Sequence, residues 1–334
     1  MTSTPPPFAR EHGSRNLLRC PDCRRIWLAV GIAAAMLVTA GVTRDWGAEQ
    51  TADAASLNSA SATATPPIVA VAIEPHRWIA ERLVGADAIV RVAIPAGSSC
   101  CGHQPTDHAI EELAAAAVYF RAGVPAERAP WLERGVMPRV QSVVDLSTTV
   151  GTTLGGGAAD DSHAWTSPSA LRAHARAMVD TLIHDPAFDA LDEDALARRH
   201  ADLDRALDAL ESRTAERLRP FRGRQIWVDH PAWARLASEH GIEQVVIDAD
   251  ATNMTDHRID RLLNDARSRG ISHVFVQPQH PGRIARRIAD AVDAEVIVLD
   301  PFERNPIDGV DRAVDAFVLA MQQAADSRTA PRDR

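Results

Sequence analysis

Thirteen histidines and four cysteines are spread along the 334 residues, and several fall where side chains could meet. After the apolar run IVRVAI (89–94) comes PAGSSCCGHQPTDH, which carries Cys100, Cys101, His103 and His108. A Gly-rich stretch leads to SHAWTSP with His163, the run QIWVD (225–229) is followed at once by His230 in VDHPAW, and EVIVLD (295–300) ends in Asp300. A lone histidine in a loop is usually a surface or capping residue, so no one of these positions means much alone. Three imidazoles and one carboxylate drawn together would make a nearly tetrahedral N3O site, of the borderline character that Zn2+ accepts. Catalytic signatures are missing: there is no HExxH, no GxSxG elbow, no evident Glu beside a candidate ligand to act as general base, and no GxxxxGK[ST] loop for a nucleotide.

These side chains meet only if the elements before them end in one place. From Ile68 the chain alternates short β-branched runs (68–73, 89–94, VYFRAG and 143–146) with amphipathic stretches, which predicts a parallel sheet with crossover helices. A second alternation follows, with runs at 225–229, 244–248, 273–277 and 295–300. Between them lies a polar helix over 191–218 with Leu203, Leu207 and Leu210 on one stripe, long enough to cross a domain. The expected fold is α/β: two parallel-sheet lobes with crossover helices, joined by one long rigid helix, with the site in the cleft. Open α/β sheets bind ligands beyond the carboxyl ends of their strands, where all the candidate donors fall. The expected divisions are an N-terminal lobe over 67–185, a linking helix over 186–221 and a C-terminal lobe over 222–334.

The first 66 residues read differently. Six arginines against Glu11 and Asp22 make residues 1–44 basic, although the whole chain carries a formal charge of −9 and contains no lysine. Residues 1–25 read as a basic cytoplasmic N-terminus, and 26–43, without charges, as a signal peptide or signal-anchor, the uncleaved anchor being favoured. Residues 44–66, rich in Ala, Ser and Thr, read as a flexible linker. The body would then lie outside the cytoplasmic membrane, periplasmic or extracytoplasmic, tethered or released. Cys20 and Cys23 have the spacing of half a zinc ribbon but lack a second pair. An acidic body argues against a nucleic-acid partner.

The runs VAVAIEPHRWIAERLVG, IPAG with QPTDHAIEEL, AVYFRAGVPAERAPWLERG, SHAWTSPSALRAHARAM, VDHPAWARLASEHGI, HVFVQPQHPGRIARRIAD and VIVLDPF occur in that order over about 68–325. Together they resemble the metal-binding solute receptors of zinc and manganese ABC importers. The resemblance implies two lobes linked by a rigid helix with a metal between them, a monomer, and delivery of the ion to a membrane permease driven by a cytoplasmic ATPase. It places His163, His230 and Asp300 on the second, third and fourth metal ligands. A histidine at the third position is usual in zinc-type members and a glutamate in manganese-type ones, so His230 favours Zn2+ as cargo, with Mn2+ or another divalent ion as the alternative.

The first ligand departs from the family pattern. Alignment on Pro105-Thr106 puts Cys101 there, with His103 two residues on, so the site is N2SO or N3O depending on which binds. His108 reads as a surface residue. His76 and His280 also sit near strand ends, His280 directly after Gln277-Pro278-Gln279. Trp165 and Trp233 are expected to shield His163 and His230, and the 147–162 loop lacks the His- and acid-rich insert of many zinc receptors. An adhesin or buffer that binds metal without transport is the alternative, and a secreted zinc hydrolase ranks below it.

Overall fold

In the computed structural model the described residues are 65–153, 163–247, 255–280 and 282–329. The basic segment, the apolar run at 26–43, most of the linker, Cys20 and Cys23 therefore lie outside them, as do residues 154–162 of the Gly-rich stretch. The chain opens with β1 (Ile68–Ile73), α1 (Glu74–Val84), β2 (Ile89–Ile94), α2 (Asp107–Ala114), β3 (Val118–Arg121), β4 (Ser142–Asp145), α3 (Leu146–Thr153) and α4 (Pro168–His184). Then come α5 (Glu193–Leu218), β5 (Gln225–Val228), α6 (Ala234–Glu239), β6 (Glu243–Val246), α7 (Asp256–Arg269), β7 (His273–Val276), α8 (Arg283–Val292), β8 (Glu295–Val298) and α9 (Pro306–Thr329).

Two four-stranded sheets result, ordered β2-β1-β3-β4 and β6-β5-β7-β8, and every pairing is parallel. The expected α/β architecture of two parallel-sheet lobes is thus present. Parallel strands need both faces covered, and the central strands show how side-chain alternation supplies this. Ile226, Val228 and Phe275 enter the large core shared with α5 and α9, whereas Trp227, Val274 and Val276 point to the opposite face, under α7 and α8.

The long helix α5 spans 26 residues, about 39 Å at 1.5 Å per residue. It starts where Asp192 accepts a hydrogen bond from the Ala195 N–H, and it buries Leu196, Leu203, Leu207, Leu210 and Leu218 along one stripe. Each such leucine stabilises the fold by roughly 1.5–3 kcal/mol relative to exposure. Arginines fasten the helix to its neighbours. Arg199 donates to the carbonyls of Leu83 and Val84 at the end of α1, Arg172 on α4 reaches Asp204, and Arg213 forms a bidentate pair with Asp311 on α9. At Gly85 φ is +60° and ψ −124°, a backbone conformation that glycine adopts and side-chain-bearing residues avoid. No helix among the described residues is long and apolar enough to cross a membrane.

Two local elements differ from the reading of the sequence. Leu146–Thr153, read as the start of a loop, forms α3, with the Asp145 carboxylate accepting from Ser147 N and Oγ at its start. Trp131–Val136, read as no element, forms a single π-turn that buries Trp131, Leu132 and Val136.

Candidate metal centre

The carboxyl ends of β2, β5, β7 and β8 converge. From β2 the chain turns at Pro95, whose carbonyl accepts from Ser98 N, and again where Ser99 O accepts from His103 N. Cys100 lies in this second turn directly after Ser99, buried, with its carbonyl held by Ala126 N at 2.7 Å. Cys101, the next residue, is exposed. Both are thiols, with their sulfurs 3.5 Å apart.

Asp229 N continues the parallel ladder by donating to Phe275 O, which carries His230 off the end of β5. The buried Asp229 carboxylate accepts from Gln277 N and so fixes the segment that leads to His280. Gly282 follows at φ +56°, a left-handed position that starts α8 against Val276. The rings of His230 and His280 stack with centroids 4.6 Å apart.

His163 is buried in a segment bolted to the second lobe. The Thr166 hydroxyl lies within hydrogen-bond distance of both His163 O and Ala232 O, the Trp165 indole N–H donates to Pro301 O at 2.8 Å, and Ser167 Oγ donates to Glu239. Trp165 and Phe302 wall the His163 ring, at centroid distances of 5.1 and 6.1 Å. The His230 ring meets it edge-on at 5.1 Å.

Among the described residues, the one group of three or more His, Cys, Asp or Glu donors lying within 4.8 Å of one another is Cys100, His230 and His280. His163 joins it through Nε2, 3.8 Å from Cys100 Sγ. Of the residues expected from the sequence, His163 and His230 are therefore brought together. Cys101 is next to the cluster and turned outward, and His103 is half-buried two residues further along. Asp300 accepts through Oδ1 from Gln279 Nε2 and Phe302 N, at 2.7 and 2.9 Å. Cys100 and His280 are the added members. Their position at strand ends was readable; which way each side chain faces was not.

Burial governs the electrostatics. Desolvation, with the neighbouring imidazoles, brings His163 down to about 3 and His230 to about 4. Both are thus neutral imidazoles through the neutral pH range, the form that binds metal. Cys101, hydrogen-bonded by Cys100, falls to about 7, while Cys100 is pushed up by that same contact and by burial.

The other aromatic and histidine positions sort plainly. His108 is exposed on α2. His76 is buried with His174, Nε2 to Nδ1 at 3.1 Å, behind Trp165 rather than in the cluster. Trp233 packs edge-on against Phe317.

Comparison with known proteins accords with the fold. The sequence model of the family described as zinc-uptake complex component A periplasmic (ZnuA) matches residues 69–327. A search of curated proteins by sequence finds no match. Among solved structures, ZnuA superposes with a TM-score of 0.68 at 22% identity, covering 77% of this chain and 99% of its own. The periplasmic zinc-binding protein TroA from Treponema pallidum gives 0.66 at 16%, covering 77% and 99%. A manganese-bound periplasmic metal-binding protein from Candidatus Liberibacter asiaticus gives 0.63 at 13%, covering 76% and 99%. At these identities the likeness establishes the fold, while the match over residues 69–327 establishes kinship: the chain belongs to the family of periplasmic zinc-uptake complex component A proteins.

Proposed function

We propose that this protein is a non-catalytic extracytoplasmic receptor that captures a divalent transition-metal ion, Zn2+ in preference to Mn2+, and delivers it to an ABC permease driven by a cytoplasmic ATPase. The observation that carries this reading is the meeting of buried His163 and half-buried His230 at the junction of the two lobes, both neutral. His163 and His230 hold the ion as imidazole donors. Asp300, Cys101 and His103 are the other donors expected from the sequence. The ion is cargo, so the site has to bind and release it without consuming it.

Release follows from the architecture. The donors come from both lobes, and α5 is fastened to α1 and α4 on one side and to α9 on the other. Large hinge motion is opposed by those contacts, so opening involves small shifts of the strand-end loops. The body acts outside the cytoplasmic membrane, either tethered through residues 26–43 or freed by cleavage, as a monomer. Its lobes correspond to 67–185 and 222–334, with 186–221 between.

The test is uptake of radioactive zinc by the source organism after deletion of this gene. Uptake lost on deletion, restored by the wild type and not by a His163→Ala/His230→Ala double variant expressed to the same level, supports the reading. Full uptake by the deletion strain under zinc limitation contradicts it.

A further inference from the structure

We propose that Cys100 and His280 complete the site as an N3S donor set with His163 and His230, and that this thiolate-bearing set tunes the receptor to thiophilic ions such as Zn2+ and Cd2+ at the expense of Mn2+. The inference deepens the receptor reading and rests on it. Its basis is geometric. A tetrahedral ion held at about 2.3 Å by sulfur and about 2.0 Å by nitrogen keeps those two donor atoms about 3.5 Å apart. Cys100 Sγ and His163 Nε2 are 3.8 Å apart, which is long for a hydrogen bond and close to that edge. Cys100, His230 and His280 donors lie within 4.8 Å of one another, so a small contraction brings all of them onto one ion.

Burial and second contacts support the same assignment. Cys100 is 1% exposed and its backbone is fixed by Ala126, which aims the sulfur inward. His280 Nε2 is buried and has no hydrogen-bond partner among the described residues. Such an atom is costly to bury unless something binds it. Gln279, the residue before His280, is held by Asp300 at 2.7 Å, so Asp300 serves to position the His280 loop. Thiolate donors favour Zn2+ and softer ions, whereas Mn2+ prefers carboxylate and water. Cys101, exposed and 3.5 Å away, lies outside the donor set.

Cobalt substitution of the reduced full chain tests this directly. Expected are about one Co2+ per chain and a sulfur-to-cobalt charge-transfer band in the near ultraviolet, lost in Cys100→Ser and kept in Cys101→Ser. Cys100→Ser should also lower Zn2+ affinity by about 100-fold or more while changing Mn2+ affinity by less than about threefold. X-ray absorption of the zinc-loaded wild type gives a second readout that needs no variant: one sulfur neighbour at about 2.3 Å. Stoichiometric metal without a sulfur neighbour, or a band that follows Cys101, overturns the inference and leaves the receptor reading standing. Failure to bind any divalent ion overturns both.

Discussion

The indole N–H of Trp165 donates to the carbonyl of Pro301 across 2.8 Å, joining residues 136 positions apart. That bond ties the loop of His163 to the turn that follows β8, and Trp165 is itself 1% exposed. The ring therefore orders two strand-end loops at once. Trp165→Phe removes the donor and part of the volume, leaving a buried carbonyl unpaired. The expected cost is about 1–3 kcal/mol of stability, measured by urea unfolding. Zinc affinity should fall about 10-fold with it, since His163 loses its support.

Burial of the α5 stripe predicts a large penalty for truncation. Leu207 is completely buried between the core elements that α5 joins. Leu207→Ala should destabilise the protein by roughly 2–5 kcal/mol. An exposed position on the same helix, Asp208→Ala, should change stability by less than about 1 kcal/mol, because its link to Arg172 is a surface ion pair. Equal losses in the two variants would contradict the assignment of the buried stripe.

Much of the fold could be read from the residues, and the reasons are particular. Both sheets announce themselves as β-branched runs of four to six residues, and α5 announces itself by leucines at 203, 207 and 210. Leu146–Thr153 could not be read as a helix, because Thr-rich LSTTVGTT has weak helix propensity and Asp145 supplies the start through its carboxylate. In the site, His230 follows from its place directly after β5, and His163 from the likeness of SHAWTSP to the receptor family. Spacing from Pro105-Thr106 puts Cys101 at the first-ligand position with His103, the favoured donor, two residues on, and the turn closed by the Ser99 carbonyl buries Cys100 beside them. One residue of register decides which thiol faces the cleft, and spacing cannot supply that.

Acid should weaken the metal-free protein. Burial brings His163 and His174 to about 3 and His230 to about 4, from an ordinary value of 6.5. Below about pH 6.5 the unfolded chain takes up protons that the folded chain refuses, so stability falls as the pH drops. Glu127 acts in the opposite sense. Burial raises its carboxyl to about 7, against the bonds it accepts from Tyr119 and three backbone N–H groups. The folded state therefore keeps that proton where the unfolded state loses it, and this contribution grows as the pH falls from 7 towards 4.5. His76, which burial also holds well below the ordinary value, adds to these three, so the imidazoles outweigh the one carboxyl and stability falls between about pH 6 and about pH 4.5. Urea midpoints should drop between about pH 7 and about pH 5. A midpoint that rises over that range would contradict the assignment of buried neutral imidazoles.

Thr166 offers a finer probe of the junction. Its hydroxyl lies 2.9 Å from both His163 O and Ala232 O, so it links the segments that carry His163 and His230. Thr166→Val keeps the shape and removes the hydroxyl. The expected result is a zinc affinity reduced about 10-fold with a stability change of about 1–2 kcal/mol, measured by competition with a chromophoric chelator and by urea unfolding.

The most direct measurement is equilibrium dialysis of the full chain against Zn2+, with Mn2+ as competitor, for the wild type, His163→Ala and His230→Ala side by side. The expected result is about one tightly held zinc per wild-type chain, displaced poorly by manganese, with affinity reduced more than about 100-fold in either variant. Zinc held equally well by all three proteins would place the ion elsewhere, and no stoichiometric binding by the wild type would contradict a metal receptor outright.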